Sequence, residues 1–488
     1  MNPIINAYQL IVGSREFMLV DISRSTGTIG TVNVSEFAQY PRGVTPITEL
    51  LYAGEEAIIN MTRPARGDEY TDKLVHQIST ITICGDNVKT ILSATSDNYF
   101  TYSHSMAKSL NPVFELLSDG VYVCHEAKMI PGNGAGNFFW NGYTQRHIVS
   151  GTANYSRNMG KESNYTPCFL LPTMNPSEFS EAKVKTQRDK LSAGKRIGGV
   201  ALHMSGMFSA LLDGHHSAVA CLLSDFEFRC LLIEPIRDML YETPEQAMQY
   251  GREPRIIALS CPYVKIPMEL IPPPMLESFL LRRNNIKPKH YQQLKKNANK
   301  ILRTVGRKSL PREVLLKAEH LPNHAAIESA HAVTELTDEQ LNALLAGETK
   351  YEDKIIISSN YYNSVITACN YLQFEDFERF LRFTFTIIEN PDLKATHKYI
   401  IERLCTINNK KIYDFFTALS EEEKLVHADH ISQIEAYIKG YEKNINDVLI
   451  DKENKSKSLN RAMGFLGGDL DQAGIAQMEA IVKASRRG

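Results

Sequence analysis

The stretch Asp213-Gly-His-His-Ser-Ala-Val-Ala-Cys-Leu-Leu223, followed by Phe228-Arg-Cys-Leu-Leu-Ile-Glu-Pro235, decides the fold. Away from their polar ends both segments are apolar, which predicts two buried strands, at 217–223 and 228–233, joined by the short turn at 224–227. His215 opens the first segment and Glu234 ends the second. In an antiparallel pair these two residues would meet at the same edge of the sheet. The pattern therefore predicts an α+β core with an antiparallel sheet.

A histidine beside a carboxylate is an arrangement that supports proton abstraction. The carboxylate fixes the tautomer of the imidazole and stabilises the imidazolium that forms when the ring takes a proton. Such a pair serves as base and orienter for a thiol nucleophile. We therefore predict His215 as general base and Glu234 as its orienter. The alternative is two ordinary strands whose polar ends happen to be His and Glu.

A resemblance to a known family rests on these residues. His215-His-Ser-Ala-Val219 followed by Leu231-Leu-Ile-Glu-Pro235 resembles the His…Glu-Pro signature of YopJ-type effectors, which are acetyltransferases on a clan CE cysteine-protease fold. Asn175-Pro-Ser-Glu-Phe179 and Gly194-Lys-Arg-Ile-Gly-Gly-Val200 are similar to the helix and strand before that family's histidine. The similarity covers residues 165–234, and papain-like effector proteases carry a comparable element.

The resemblance implies a cysteine-protease-like core, acetyl-CoA as acyl donor and activation by inositol hexakisphosphate bound to basic helices. It also implies a secreted bacterial effector that modifies host proteins by acyl transfer or by isopeptide or peptide cleavage. The nucleophile departs from the family pattern. Cys261, in Leu259-Ser-Cys-Pro262, is the provisional choice, although it follows Glu234 by only 27 residues and precedes Pro instead of Gly.

Other cysteines remain alternatives to Cys261. Cys369 lies far downstream, and the papain-like order, with Cys before His, leaves Cys84, Cys124 and Cys168. Each of them also fits a buried small hydrophobic residue. A catalytically inactive relative is therefore an alternative to the enzyme.

A basic segment from Arg282 to Lys317 holds twelve Lys and Arg against one acid, Glu313. Several of these basic residues recur at helical spacing, which predicts a positively charged stripe along a helix. Such a stripe would bind an inositol phosphate or an anionic lipid headgroup. A solvated linker helix is the alternative. The residues predicted to bind the polyanion are Lys289, Lys295, Lys296, Lys300, Arg303 and Arg307.

Composition limits the class of protein. The chain has 488 residues, and 54 Lys and Arg against 56 Asp and Glu give a net charge of −2, which excludes a globally basic nucleic-acid coat. Eight cysteines without CxxC pairing predict reduced thiols, with neither a disulfide framework nor a metal site. No apolar run has the length of a membrane span, and no Sec-type signal is visible. We expect a cytosolic protein, or one translocated into a host cell without a Sec signal.

The chain is too long for one core, so several domains are predicted. They are a β-rich N-terminal region (1–160), an α+β catalytic-like core (161–280), a basic helical linker (281–335) and a helical bundle domain (336–488). The leading function is a thiol enzyme that acts on proteins. The alternative is an inactive scaffold or adaptor that binds a protein or polyanion through the basic helix and the C-terminal bundle, and a third option is a structural or assembly protein.

Overall fold

A computed structural model describes the greater part of the chain. The described residues are 3–12, 15–33, 47–63, 69–73, 110–138, 147–150, 167–282, 289–298, 311–330, 374–389, 394–421 and 430–443, with short gaps inside some of these ranges. Contacts divide the chain into two compact units, Met1–Ile400 and Ile401–Gly488. Each unit is described by itself.

The strands form three sheets. They are β1 (Ile4–Val12), β2 (Arg15–Ser23), β3 (Ile29–Asn33), β4 (Ile47–Ala53), β5 (Glu56–Arg63), β6 (Glu69–Lys73), β7 (Gly120–Lys128), β8 (His147–Ser150), β9 (Phe169–Pro172), β10 (Gly199–Ser205), β11 (Phe208–Asp213), β12 (Arg229–Pro235), β13 (Asp238–Tyr241), β14 (Ile256–Ser260) and β15 (Lys265–Pro267). The largest sheet has seven strands in the order β1-β2-β7-β12-β10-β11-β9. The others have the orders β3-β4-β5-β6-β8 and β13-β14-β15.

The helices with defined bounds are α1 (Asn111–Phe114), α2 (Glu181–Ser192), α3 (His215–Leu223), α4 (Pro244–Gln249), α5 (Pro273–Arg282), α6 (Tyr291–Ala298), α7 (Arg312–Ala318), α8 (Phe374–Glu389), α9 (Lys394–Leu404) and α10 (Lys410–Glu421). Residues 431–443 are also helical. In the described part of the chain, no helix is long and apolar enough to cross a bilayer.

The seven-stranded sheet is mixed rather than purely antiparallel. β10 runs parallel to β12, and β9 runs parallel to β11, while the other neighbours are antiparallel. This confirms the α+β class, although the sheet also has parallel pairs. The same sheet takes strands from both sides of position 160, where a boundary between an N-terminal region and a core is predicted.

One face of this sheet is covered by the three-stranded sheet and α5. Side chains alternate between the faces along a strand, so Phe17, Leu19 and Val123 share one side. They pack with Leu259 and Ile266 of the three-stranded sheet, and with Met275 and Phe279 of α5, in one buried apolar cluster. This covered side also holds Glu234, which lies beside Val123 in the pairing of β12 with β7.

The segment 215–223 is a helix, α3, so the prediction of a strand there is wrong. The preceding strand is β11, and the chain leaves it through Gly214 with φ 102° and ψ 15°, a left-handed conformation. Six of the nine helical residues are buried, so the segment is apolar on most sides. A short apolar run without periodicity does not distinguish a buried helix from a buried strand.

The apolar runs at 169–171, 197–203, 228–233 and 255–264 predict strands, and Thr243 predicts the start of a short helix over 244–250; these elements are confirmed. Strands occur at Phe169–Pro172, Gly199–Ser205, Arg229–Pro235 and Ile256–Ser260. Thr243 caps α4 with a full capping box, in which its side chain accepts from the backbone N–H of Gln246. The Ile- and Thr-rich run at 78–84 also predicts a strand, but it lies outside the described residues.

The described C-terminal residues are helical, as predicted. In the second unit, α10 packs beside the helical residues 431–443 through aromatic contacts. The rings of Tyr413 and Tyr441 stack with centroids 4.7 Å apart, and the Tyr437 hydroxyl donates to the carbonyl of Ile407 at 2.8 Å. Phe416 is fully buried and meets Tyr437 edge to face.

Candidate functional site

Glu234 is the centre of a polar cluster beneath the covered face of the seven-stranded sheet. It lies near the end of β12 and is 0% exposed. Its Oε1 is 2.6 Å from Nε2 of His125, which lies on the neighbouring strand β7 and is itself buried. The register explains the contact, because His125 lies beside Leu232, and Leu232 and Glu234 point to the same face.

The protonation of His125 follows from its two partners. Its Nδ1 is 3.0 Å from the backbone carbonyl of Glu126, which can only accept a hydrogen bond. Nδ1 therefore carries a proton. One further proton lies between Nε2 and Oε1, so the pair is either an imidazolium with a carboxylate or a neutral imidazole with a protonated carboxyl group.

The pKa of Glu234 favours the charged pair. Burial, the largest single effect, raises this pKa, but the hydrogen bond from His125 and the electrostatic effect of the His125 and His203 imidazoles lower it, as does a hydrogen bond from the nearby Cys261 thiol. The net result is a pKa below the usual value for Glu. The second oxygen, Oε2, is buried and has no hydrogen-bond partner of ordinary geometry in the described part of the chain.

Cys261 lies close to the Glu234 carboxylate and belongs to the layer that covers the seven-stranded sheet. It follows β14, is 4% exposed and belongs to the apolar cluster that covers the sheet. Its backbone N–H donates to the carbonyl of Val264 at 3.0 Å, and its thiol donates to the same carbonyl at 3.6 Å. The structure thus brings together two of the three predicted catalytic residues, Glu234 and Cys261. The imidazole in contact with the carboxylate belongs to His125.

His215 does not have the predicted role. Its Nε2 accepts hydrogen bonds from the backbone N–H groups of Thr173 at 3.1 Å and Met174 at 3.2 Å. The lone pair that a general base needs is therefore already used. Burial, with a smaller effect from His216, lowers the pKa of His215 to about 3, so the ring is neutral at physiological pH. Its contacts make it an acceptor that fixes the chain after β9.

His215 and Glu234 also lie at different ends of the sheet. Gly214, just before His215, packs on Gly199 at the start of β10. Glu234 follows Ile233, which lies beside Leu202, three residues further along β10. At ~3.3 Å per residue, this is about 10 Å. The predicted hydrogen bond between His215 and Glu234 required two adjacent antiparallel strands, and it is absent because the first of them is a helix.

Burial raises the pKa of most of the remaining described cysteines, Cys230 included, which disfavours the nucleophilic thiolate. Burial and the negative charge of Glu234 raise the pKa of Cys124 far above its usual value. Burial raises the pKa of Cys221 to about 12 and that of Cys405 to about 11. Cys168 is buried as well. Cys84 and Cys369 lie outside the described residues.

The basic segment is only partly described. Lys289 is exposed in a turn before α6, and Lys295 and Lys296 lie on that helix. Lys300, Arg303 and Arg307 lie outside the described residues. The helix is not a free linker, because Tyr291 and Leu294 are buried against Leu50 and Tyr52 of the five-stranded sheet. The helix therefore packs on the sheet through Tyr291 and Leu294, which a linker solvated on all sides would not do.

An open groove of about 420 Å³ lies elsewhere, between α2, α3 and α7. Its floor is apolar, with Val184, Val219 and Val314, and Arg188 and Glu313 face each other across it at 3.8 Å. Neither histidine nor cysteine lines it. Within the described ranges, no group of three or more His, Cys, Asp and Glu residues is placed to hold a metal ion.

His125 is the residue that the sequence reasoning missed. It stands in Cys124-His-Glu126, where adjacent residues cannot form a dyad because neighbours on a strand point to opposite faces. A histidine on a strand can still pair with a residue on the neighbouring strand, as His125 does with Glu234. The available signal was a histidine in a strand-forming apolar run, Val121-Tyr-Val-Cys-His125.

Comparison of the chain with protein-family models, with curated proteins and with solved structures gives no match. The resemblance to YopJ-type effectors therefore stays a prediction from short motifs.

Proposed function

We propose that this chain is a non-catalytic scaffold that binds a polyanion with clustered phosphates through its basic segment, 282–317. The observation that carries the proposal is the anchoring of α6 on the five-stranded sheet by Tyr291 and Leu294. A helix that packs on a sheet holds its charged residues on a folded surface. An inositol phosphate and an anionic lipid headgroup present the same chemistry to such a surface.

Local charge supports this function. The segment contains twelve Lys and Arg and a single acid, whereas the whole chain has a net charge of −2. Each cation near an anionic surface contributes about 1 kcal/mol, and the contribution falls with added salt. The described helices near the C-terminus provide a second surface, for a protein partner.

Binding to inositol hexakisphosphate and to vesicles with anionic or only zwitterionic lipids tests this proposal. Changing Lys289, Lys295 and Lys296 to Glu should weaken binding by roughly 100-fold, because at least three favourable charges of about 1 kcal/mol each are lost. Calorimetry and vesicle sedimentation at two salt concentrations measure the effect. Binding to the soluble phosphate but not to vesicles identifies a free ligand, and the converse identifies a lipid surface.

The matched control changes three exposed lysines elsewhere, Lys183, Lys185 and Lys195, to Glu. It alters the net charge by the same amount and should leave binding within about threefold, since distant charges are screened beyond ~10 Å. Equal losses in both variants would show non-specific attraction. Absence of binding by the wild-type chain at low salt would remove the proposal.

The thiol enzyme is the second candidate, because Cys261 lies near Glu234 and Glu234 binds His125. The group near the Cys261 thiol is thus the Glu234 carboxylate and not the His125 imidazole. A carboxylate opposes formation of the thiolate, which is the nucleophilic form of cysteine. All three residues are also buried, so a substrate would need the cover formed by β14, β15 and α5 to open.

A thiol-reactive probe with peptide mapping separates the two functions. For the scaffold, we expect Cys405 to be modified at least tenfold faster than Cys261 in the native protein, because Cys261 is 4% exposed and Cys405 is half-buried. His125→Gln and His215→Gln variants serve as comparisons. Fast labelling of Cys261 that either variant abolishes would support the enzyme instead.

A further inference from the structure

We propose that two copies of this chain associate through β1, so that their seven-stranded sheets join into one continuous sheet across a two-fold axis. In the described part of the chain β1 pairs with β2 alone, which leaves its other edge open. A strand edge presents a row of unpaired peptide groups that can pair with another strand. The inference is independent of the proposed scaffold function.

The two edges of the same sheet are built differently. The far edge, β9, has only four residues, all buried, and ends in Pro172. Short length, cover and proline are the features that normally protect an edge from pairing. β1 has nine residues and no proline, and the described residues cover it only in part: Tyr8, Leu10 and Val12 pack on the apolar cluster, but Ile4 is 41% and Ile11 is 62% exposed. Between the two edges of this sheet, as far as its described strands extend, β1 is the one that lacks these protections.

The sequence of β1, Ile4-Ile-Asn-Ala-Tyr-Gln-Leu-Ile-Val12, argues for a second copy as the occupant. It has no charged residue, in a chain with 23% charged residues. Pairing of two β1 strands therefore brings no like charges together. The strand also lacks the lysines that commonly prevent an edge from pairing. A charged foreign segment would find no complementary charge here.

The register of the β1–β2 hairpin also suits a two-fold axis. Val12 pairs with Arg15 across a two-residue connection, so Val12 and every second residue before it direct their peptide groups to β2. The residues that direct theirs outward are Ile5, Ala7, Gln9 and Ile11. In an antiparallel pair of two β1 strands centred on Tyr8, position 5 of one copy lies opposite position 11 of the other, and position 7 lies opposite position 9. Each outward peptide group of one copy then faces an outward peptide group of the other.

Light scattering coupled to size exclusion tests the proposal on the full chain. We expect a mass of twice 55.0 kDa at tens of micromolar protein. Ile11→Lys should weaken self-association by at least tenfold, because it places a charge on the edge. Gln9→Pro removes an outward N–H while leaving the β1–β2 hydrogen bonds, and should give the same result.

Met248→Lys is the matched control, since it makes the same type of change at a residue that is 79% exposed and lies on α4. It should remain a dimer. Circular dichroism confirms that each variant is folded. A monomeric wild-type chain, dimers in both edge variants, or open-ended aggregates instead of a closed dimer would each overturn the proposal.

Discussion

Glu234→Ala is expected to lower the free energy of unfolding by about 3–5 kcal/mol, the cost of removing one partner of a buried ion pair. The carboxylate is 0% exposed and holds His125, so its loss leaves a buried imidazole facing a cavity. Urea unfolding at pH 7 measures the change. The His125→Ala variant and the double variant complete a cycle, in which the double variant should cost less than the sum of the single variants.

Glu242→Ala provides the comparison. Glu242 also pairs with a cation, but that cation, Arg252, is 34% exposed, so the expected cost is about 1 kcal/mol. Acid pH supplies a further check. Because the pKa of Glu234 is lowered on folding, its contribution is present above about pH 4.3, its unfolded value, and is lost as pH falls. Equal costs for the two glutamates would contradict the buried pair.

Gly214→Ala is expected to cost roughly 3–5 kcal/mol, because it combines backbone strain with a steric clash. Gly214 has φ 102°, and a Cβ there would lie 2.6 Å from Cα of Gly199 and 2.7 Å from the carbonyl oxygen of Gly198. Both contacts are with backbone, so neither can move aside as a side chain would. Thermal or urea unfolding measures the loss.

Gly251→Ala is the matched control for this variant. Gly251 also has a positive φ, 60°, but a Cβ there would meet nothing within 4 Å. The strain alone should cost about 1–2 kcal/mol. If both variants lose the same stability, the close approach of the chain at Gly199 does not matter, and α3 can shift away from β10 at little cost.

The sequence predicts the strands whose apolar runs are bounded by turn residues, such as β9, β10, β12 and β14. It also predicts α4, because Thr243, Pro244 and Gln246 form a local cap. These features depend on neighbouring residues alone. The helix at 215–223 is not predictable in this way, because its apolar residues cover most of its surface and its start depends on the conformation of Gly214.

The partner of Glu234 was equally hard to predict from the sequence. The sequence suggests His215, 19 positions away, but the imidazole that binds the carboxylate is His125, 109 positions away. The antiparallel pairing of β7 with β12 determines which histidine lies next to Glu234. Pairing between distant strands is a property of the whole sheet, and no local pattern encodes it.

The order of strands in the large sheet has a consequence for synthesis on the ribosome. Within this sheet the β1–β2 hairpin is synthesised before the other strands, and its neighbour β7 begins 97 residues after β2 ends. At ~5–20 residues per second, the hairpin waits for about 5–20 s before that neighbour is made. A lone hairpin is marginally stable in water. The nascent chain therefore exposes the apolar side chains of these strands for several seconds before the rest of the sheet can cover them.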